Sequence, residues 1–236
     1  MKRPRGLLID YGGTLVEEVA YDARAGHAWL LAHAEVHPGV TLDTVMARAT
    51  RVAAELSERR HELGVEAPWL SITRLVYDYF GIRFTLPVAE LEVGFWDASM
   101  TTRPLAGARE ALDAFHADGV AMAVVSNAMF RPDVIRHEIA KYGLADHLAF
   151  VTVSAEYVVR KPNALLFEVA AARLGLPPSE IWVVGDRVDT DVRGAQAAGM
   201  TAVWLRPPNA ADSDEPDITV GGWAELRRCF EETRPA

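Results

Sequence analysis

Two kinds of apolar spacing divide the chain and predict two kinds of structure. Five short and nearly continuous apolar runs read as buried strands: RGLLID (5–10), VAMAVVSN (120–127), LAFVTVS (148–154), IWVVGD (181–186) and TAVWLR (201–206). After the second run, helical spacing separates each strand from the next, and one more helical stretch precedes it. Continuous apolar strands alternating with helices predict a parallel sheet that is covered on both faces.

A second region, from Val19 to about Ser99, has helical spacing throughout and predicts four helices. Thr41 is placed to cap the second helix at its N-terminus, and Gly64 lies just beyond its end. Short connections between the helices predict a compact bundle. The candidate helices lie in residues 21–36, 41–64, 68–81 and 87–100.

The position of this bundle in the chain predicts where it lies in the fold. It follows directly after the first strand, and ligands of parallel sheets bind at the carboxyl ends of the strands. We therefore expect an α/β protein in which an α-helical bundle caps a three-layer, Rossmann-like parallel sheet core. The predicted core domain comprises residues 1–16 and 102–236, and the predicted cap domain comprises residues 17–101.

Composition narrows the class of partner. Acidic residues outnumber basic ones by 33 to 24, giving a net charge of -9, whereas a nucleic-acid surface needs the opposite balance. No apolar stretch has the length of a secretory signal core or a membrane span. Cys229 is the single cysteine, so no intrachain disulfide can form, and we expect a cytoplasmic protein. The sequence does not indicate an oligomeric state.

Polar residues follow the predicted strands at the points where the strands end. Asp10 follows the first, Ser126 and Asn127 close the second, and Asp186 ends the fourth. The parallel arrangement brings these ends to one edge of the sheet. Lys161 is one of only three lysines among 24 basic residues, which indicates a position that needs a compact ammonium group.

Four short segments, taken in order, carry a resemblance to a known family. They are DYGGT from Asp10, VVSN from Val124, VRKP from Val159 and VVGDRVDTD from Val183. Together they resemble the motifs of haloacid dehalogenase-like hydrolases, in the branch with a helical cap inserted after the first strand. The resemblance covers nearly the whole chain and implies hydrolysis of a small phosphomonoester.

The resemblance implies a nucleophile and a magnesium site. Asp10 would attack the phosphoryl group and form an aspartyl-phosphate. Mg²⁺ would be held by Asp10, Asp186 and the backbone carbonyl of Gly12, with Asp191 in support, because hard oxygen ligands suit this ion.

The resemblance also implies a phosphate-binding site. Ser126 would donate a hydrogen bond to a phosphoryl oxygen, with the Asn127 amide beside it. Lys161 would neutralise both the nucleophile and the phosphate. The expected partner is therefore a small phosphorylated substrate.

Gly12 departs from the family pattern, which is usually Asp-x-Asp-Gly-Thr. The missing acid normally protonates the leaving group and then activates water, help that is worth roughly 10²–10⁴ in rate. A phosphatase in which bound water fills the gap would favour leaving groups that need no proton, and this outcome is preferred. Glu17 and Glu18 follow the motif and are alternative acids, although a solvated entry to the cap is the favoured interpretation for both.

Two further outcomes stay open. The carbon–halogen branch of the family also lacks an acid here, but it carries a tyrosine; Tyr11 is one place too early, and alternation points it away from the crevice. That branch works without metal, whereas Asp186 and Asp191 are both present. The last outcome is a catalytically silent binding or regulatory member.

Overall fold

The computed structural model describes residues 3–36 and 38–233, without the side chains of 36, 58, 59 and 61. The two first and three last residues of the predicted core domain, and His37 of the predicted cap, lie outside this part.

A central sheet of six parallel strands organises the fold. In chain order the described strands are β1 Gly6–Ile9, β2 Val16–Tyr21, β3 Ala34–Val36, β4 Arg83–Phe84, β5 Met100–Pro104, β6 Ala121–Ser126, β7 Leu148–Val153, β8 Ile181–Gly185, β9 Thr201–Leu205 and β10 Ile218–Val220. The spatial order of the sheet is β10-β9-β8-β1-β6-β7, and every neighbouring pair is parallel. All five predicted strands are present in it, and β10 is an addition.

Ten helices accompany the strands in the described part of the chain. They are α1 Ala23–Ala32, α2 Leu42–Leu63, α3 Trp69–Tyr77, α4 Val88–Ser99, α5 Ala108–Ala117, α6 Pro132–Ala140, α7 Ser154–Tyr157, α8 Ala164–Leu174, α9 Arg193–Ala197 and α10 Trp223–Glu232. Short 3₁₀ turns lie at Asp78–Phe80 and Pro178–Glu180, and a π-helical turn lies at Val188–Val192. None of the helices in residues 3–36 and 38–233 is both long and apolar enough to cross a membrane.

The sheet is covered on both faces, which confirms the three-layer prediction. Leu7 and Ile9 of β1 pack in one apolar cluster, and Leu8 between them packs in a separate one. This alternation is the two-residue period of a strand. The first cluster includes residues of α5, α6 and α10, and the second includes residues of α8 and α9.

The segment between β1 and α5 holds α1 to α4, but it also contains four strands that the spacing did not predict. β2 pairs with β5, and β3 with β4, both antiparallel. Only Val16 of β2 is buried, so this strand lacks the apolar alternation that would mark it in the sequence. Thr41 does cap α2, accepting a hydrogen bond from the Thr44 backbone N–H at 3.3 Å, and Gly64 ends that helix with a left-handed φ of 62°.

Candidate active site

Asp10 lies at the carboxyl end of the central strand. Its backbone N–H donates to the Val184 carbonyl at 2.9 Å, which extends the β1–β8 ladder by one residue. Its side chain meets Lys161, whose Nζ lies 2.5 Å from Asp10 Oδ1 and also donates to the Val125 carbonyl at 3.0 Å. Both residues are buried. An ammonium group is therefore fixed directly against the predicted nucleophile.

The Asn127 side chain fixes the backbone of Lys161. Its Oδ1 accepts from the Lys161 backbone N–H at 2.7 Å, and its Nδ2 donates to the Lys161 carbonyl at 3.1 Å. Ser126, the last residue of β6, is buried beside it. Asn127 thus orients the lysine loop, and the direct phosphate contacts of Ser126 and Asn127 stay predictions.

Two further carboxylates converge on the same point. Asp186 follows β8, and Asp191 lies in the π-helical turn, where its Oδ2 accepts from the Arg187 N–H at 3.1 Å. The other Asp191 oxygen lies 2.6 Å from Lys161 Nζ. One oxygen each from Asp10, Asp186 and Asp191 lies within 4.8 Å of the others. Of the predicted site side chains, these three and Lys161 therefore form one cluster.

Gly13 permits the close approach of Asp186. Its φ is +77°, and a Cβ placed on it would overlap the Asp186 carboxylate. Only glycine satisfies both the left-handed backbone and the space at this position. The glycine after Gly12 is thus required by the geometry of the acidic cluster.

The cluster carries more negative charge than its lysine can balance. Burial raises the pKa of Asp10 to about 7, helped by the nearby Asp191 charge and opposed by Lys161. Burial and Asp191 likewise raise the pKa of Asp186 to about 6. Burial acts to lower the pKa of Lys161, but Asp10 and Asp191 outweigh it and raise that pKa to about 12. The lysine stays charged, and the carboxylates require further positive charge to ionise together.

One carboxylate oxygen of the cluster is available for such a charge. Asp186 Oδ1 and Asp191 Oδ1 are both buried without a hydrogen-bond partner within the described residues, but Asp191 Oδ1 is ion-paired with Lys161, which leaves Asp186 Oδ1. Buried polar atoms are nearly always satisfied, so this oxygen needs a partner from outside the protein. Hard carboxylate oxygens with excess negative charge fit a divalent cation such as Mg²⁺.

A family model for haloacid dehalogenase-like hydrolases matches residues 4–199. The chain belongs to this family of hydrolases. The match includes all four motifs and confirms the resemblance read from the sequence. Family membership also agrees with the position of the acidic cluster at the carboxyl edge of the sheet.

Named relatives of this hydrolase include phosphatases. It is 40% identical over 116 residues to a phosphoserine phosphatase of Thermus thermophilus, covering 48% of this chain and 44% of that protein. It is 39% identical over 97 residues to a glyceraldehyde 3-phosphate phosphatase of Methanopyrus kandleri, covering 38% of this chain and 41% of that protein. The chain therefore spans less than half the length of these two relatives.

A solved structure supports the fold over the full length. The HAD phosphatase from Thermococcus onnurineus superposes with a TM-score of 0.60 at 20% identity, covering 98% of this chain and 99% of that one. At this identity the likeness establishes the shared fold alone.

Gly12, where the hydrolase departs from the family pattern, lies next to a carboxylate from another strand. A Cβ placed on Gly12 would lie 3.6 Å from Glu18 Oε1 and 3.9 Å from its Cδ, both ordinary contact distances. Although Glu18 as a residue is exposed, surrounding protein atoms desolvate its carboxylate and raise its pKa. The neighbouring Glu17 is instead exposed in an ion pair with Arg103, at 2.6 Å. The structure thus separates the two candidate acids.

Tyr11 lies in the apolar cluster that contains residues of the sheet and of helices α1 to α4. It is 2% exposed, and its ring lies 6.2 Å from that of Trp96. Burial, followed by the charges of Glu138 and Glu18, raises the pKa of its hydroxyl. The ring thus packs in a hydrophobic core, whereas strand alternation predicted only that it points away from the crevice.

Glu66 is a buried charged residue at the site's edge that sequence reasoning missed. It lies between α2 and α3, 4% exposed, and accepts a 2.6 Å hydrogen bond from Ser154 Oγ in the core. It also pairs with Arg60 at 2.7 Å and with Arg160, the residue before Lys161. Nothing in the local sequence marks this glutamate as buried, because two of these three partners, Ser154 and Arg160, are distant along the chain.

Proposed function

We propose that this chain is a Mg²⁺-dependent phosphatase that hydrolyses a small phosphomonoester through an aspartyl-phosphate on Asp10. The observation that carries the proposal is the buried contact of Lys161 Nζ with Asp10 Oδ1 at 2.5 Å, inside a cluster of three aspartates. Phosphoryl transfer needs little more than a positioned nucleophile and neutralised oxygen charge. The named phosphatase relatives support this class of substrate.

Asp10, Lys161 and Ser126 each have a separate role toward the phosphoryl group. Asp10 offers its carboxylate oxygen to phosphorus, and Lys161 holds that oxygen in place while lowering the repulsion of the incoming phosphate. Ser126 donates to a phosphoryl oxygen at the end of β6. Two unit charges about 4 Å apart interact by about 4 kcal/mol at an effective dielectric near 20, so the lysine charge is a substantial contribution.

Asp10, Asp186 and the Gly12 carbonyl would hold Mg²⁺, and Asp191 would orient Lys161 and support the ligands. The unpartnered Asp186 Oδ1 and the excess negative charge support this assignment. When bound, the ion supplies the charge that neutralises the carboxylates and phosphoryl oxygens. We also propose a cytoplasmic location, on the ground that the single Cys229 permits no intrachain disulfide.

A panel of phosphomonoesters, assayed with Mg²⁺ on the parent and on Asp10→Asn, tests the proposal. We expect turnover of at least one small phosphomonoester by the parent, its loss with chelator, and its loss in Asp10→Asn. Halide release from a 2-haloacid in the presence of chelator would assign the chain to the carbon–halogen branch instead. Metal binding without any turnover would leave a silent binding member.

A further inference from the structure

The missing acid at Gly12 is matched by an acid from elsewhere in the fold. Apart from its own chain neighbours, the described atoms nearest to a Cβ on Gly12 both belong to the Glu18 carboxyl group, at 3.6 and 3.9 Å. The Glu18 carboxylate therefore lies beside the place where a side chain on residue 12 would begin. Gly12 itself adopts no left-handed φ, so the absence of a side chain there is not required by the backbone.

Strand geometry explains why Glu18, and not Glu17, occupies this position. Both belong to β2, where successive side chains point to opposite faces. Glu17 is opposite Arg103 in β5 and pairs with it, whereas Glu18 is opposite Thr102. Among the side chains that the structure describes, no ion pair engages Glu18, so its carboxylate is free for a reacting group.

We propose that Glu18 is the general acid and base of this hydrolase, in place of the aspartate that Gly12 lacks. The inference rests on the proposed phosphatase function and deepens it. It replaces the sequence-based expectation that bound water fills the gap and that Glu18 is only a solvated residue at the cap entry.

The proton transfers balance over one turnover. As Asp10 Oδ bonds to phosphorus, the bond from phosphorus to the leaving oxygen breaks, and protonated Glu18 gives that oxygen its proton. An alcohol leaves. Ionised Glu18 then takes a proton from water as the water oxygen bonds to phosphorus and the bond to Asp10 breaks. Inorganic phosphate leaves, and Glu18 is protonated again for the next cycle.

Glu18→Gln tests the role against Glu17→Gln as a matched control one residue away. We expect Glu18→Gln to lower turnover of an alkyl phosphate by about 10²–10⁴, the usual contribution of general acid–base catalysis. With p-nitrophenyl phosphate, whose leaving group needs no proton, Glu18→Gln should release a burst of one p-nitrophenolate per enzyme and then turn over slowly. Glu17→Gln should behave as the parent. A residue with a merely structural role would not produce this burst or this dependence on leaving group.

Gly12→Asp distinguishes two explanations of how the hydrolase works without an acid at residue 12: Glu18 as the general acid, or bound water in the gap. If Glu18 is the acid, Gly12→Asp alone should bring no gain, because it adds a second carboxylate beside the first. In the Glu18→Gln background the same change should restore alkyl phosphate turnover by tenfold or more. A water-filled gap predicts the reverse: a gain in the single variant and no effect of Glu18→Gln.

Failure of this inference is distinguishable from failure of the proposed function. Parent activity that Asp10→Asn abolishes but Glu18→Gln leaves unchanged would overturn the role of Glu18 and keep the phosphatase. Turnover that falls equally for alkyl and aryl phosphates, without a burst, would also overturn it. A parent with no phosphatase activity would remove the proposed function and this inference with it.

Discussion

Lys161 Nζ lies 2.5 Å from Asp10 Oδ1, although 151 residues separate the two along the chain. The ammonium group also lies 2.6 Å from Asp191 Oδ1 and donates to the Val125 carbonyl at 3.0 Å. The ammonium group thus donates hydrogen bonds to Asp10, just after β1, and to β6, and it forms an ion pair with Asp191 in the π-helical turn. A single buried cation therefore joins the predicted nucleophile to Asp191 of the π-helical turn.

Replacing this lysine should abolish most activity. Lys161→Met removes the charge, and Lys161→Arg puts a planar, larger group where the side chain is only 3% exposed. We expect both to lower kcat/KM by about 10²–10³, the range seen when one electrostatic stabiliser is lost. Steady-state phosphatase assays check this. Lys141→Met, which removes ion pairs with Asp97 and Glu138 but no contact with the aspartate cluster, is the control and should change kcat/KM by less than about threefold.

The acidic cluster should make metal-free protein less stable as pH rises. Asp10 has a pKa of about 7 in the folded protein against an ordinary 3.8, so between these values the folded state binds a proton that the unfolded state has released. The contribution of Asp10 to the free energy of unfolding is therefore fully present below about pH 4. It is lost as pH rises through 7, which lowers stability by about a few kcal/mol. Urea unfolding in chelator at several pH values measures this slope.

His27 contributes a slope of opposite sign. Burial lowers its pKa to about 4, so its contribution is lost as pH falls below 6.5. The informative quantity is therefore the difference in the free energy of unfolding between the parent and Asp10→Asn, which should grow with pH.

Mg²⁺ should stabilise the parent more at pH 8 than at pH 5, where protons compete for its ligands. Equal stabilisation at both pH values would contradict the assignment of the metal site.

Glu66→Gln should weaken the contact between the cap segment and the core. The substitution leaves Arg60 and Arg160 near each other without their shared carboxylate. Breaking a buried ion pair in this way costs about 3–5 kcal/mol in the free energy of unfolding. Ser154→Ala, which removes one hydrogen bond to the same carboxylate, should cost only about 1 kcal/mol. Denaturant unfolding of both variants compares the two, and equal small losses would show that the network contributes little.

Gly13→Ala and Gly12→Ala form a second matched pair. At Gly13 the new Cβ meets the Asp186 carboxylate and the φ of +77° is unfavourable, so we expect a loss of more than about 1 kcal/mol in stability and weaker Mg²⁺ binding. At Gly12 the nearest atom beyond the chain neighbours is 3.6 Å away, and the change in stability should stay within about 0.5 kcal/mol. Calorimetric Mg²⁺ titration and thermal unfolding measure both effects. Similar behaviour of the two variants would contradict the geometry of the glycine turn.

The sequence by itself determined the sheet and the identity of its polar strand ends. Buried parallel strands must be apolar along their length. The apolar runs that lead to Asp10, Ser126 and Asp186 therefore predicted these strands from the sequence alone. Once the strands are parallel, their carboxyl ends must meet at one edge, and the acids at those ends converge. The motif order then sufficed to name the family.

Only the tertiary structure decided which residue lies beside Gly12. β2 is exposed along most of its length and pairs with β5, about 80 residues away, so neither local spacing nor apolar pattern revealed it. Pairing across that distance sets which face each glutamate occupies: Glu17 meets Arg103, and Glu18 meets the position that Gly12 leaves open. Adjacent residues of the same type receive different roles because a strand turns successive side chains to opposite sides, and the side that faces the site is fixed by long-range contacts.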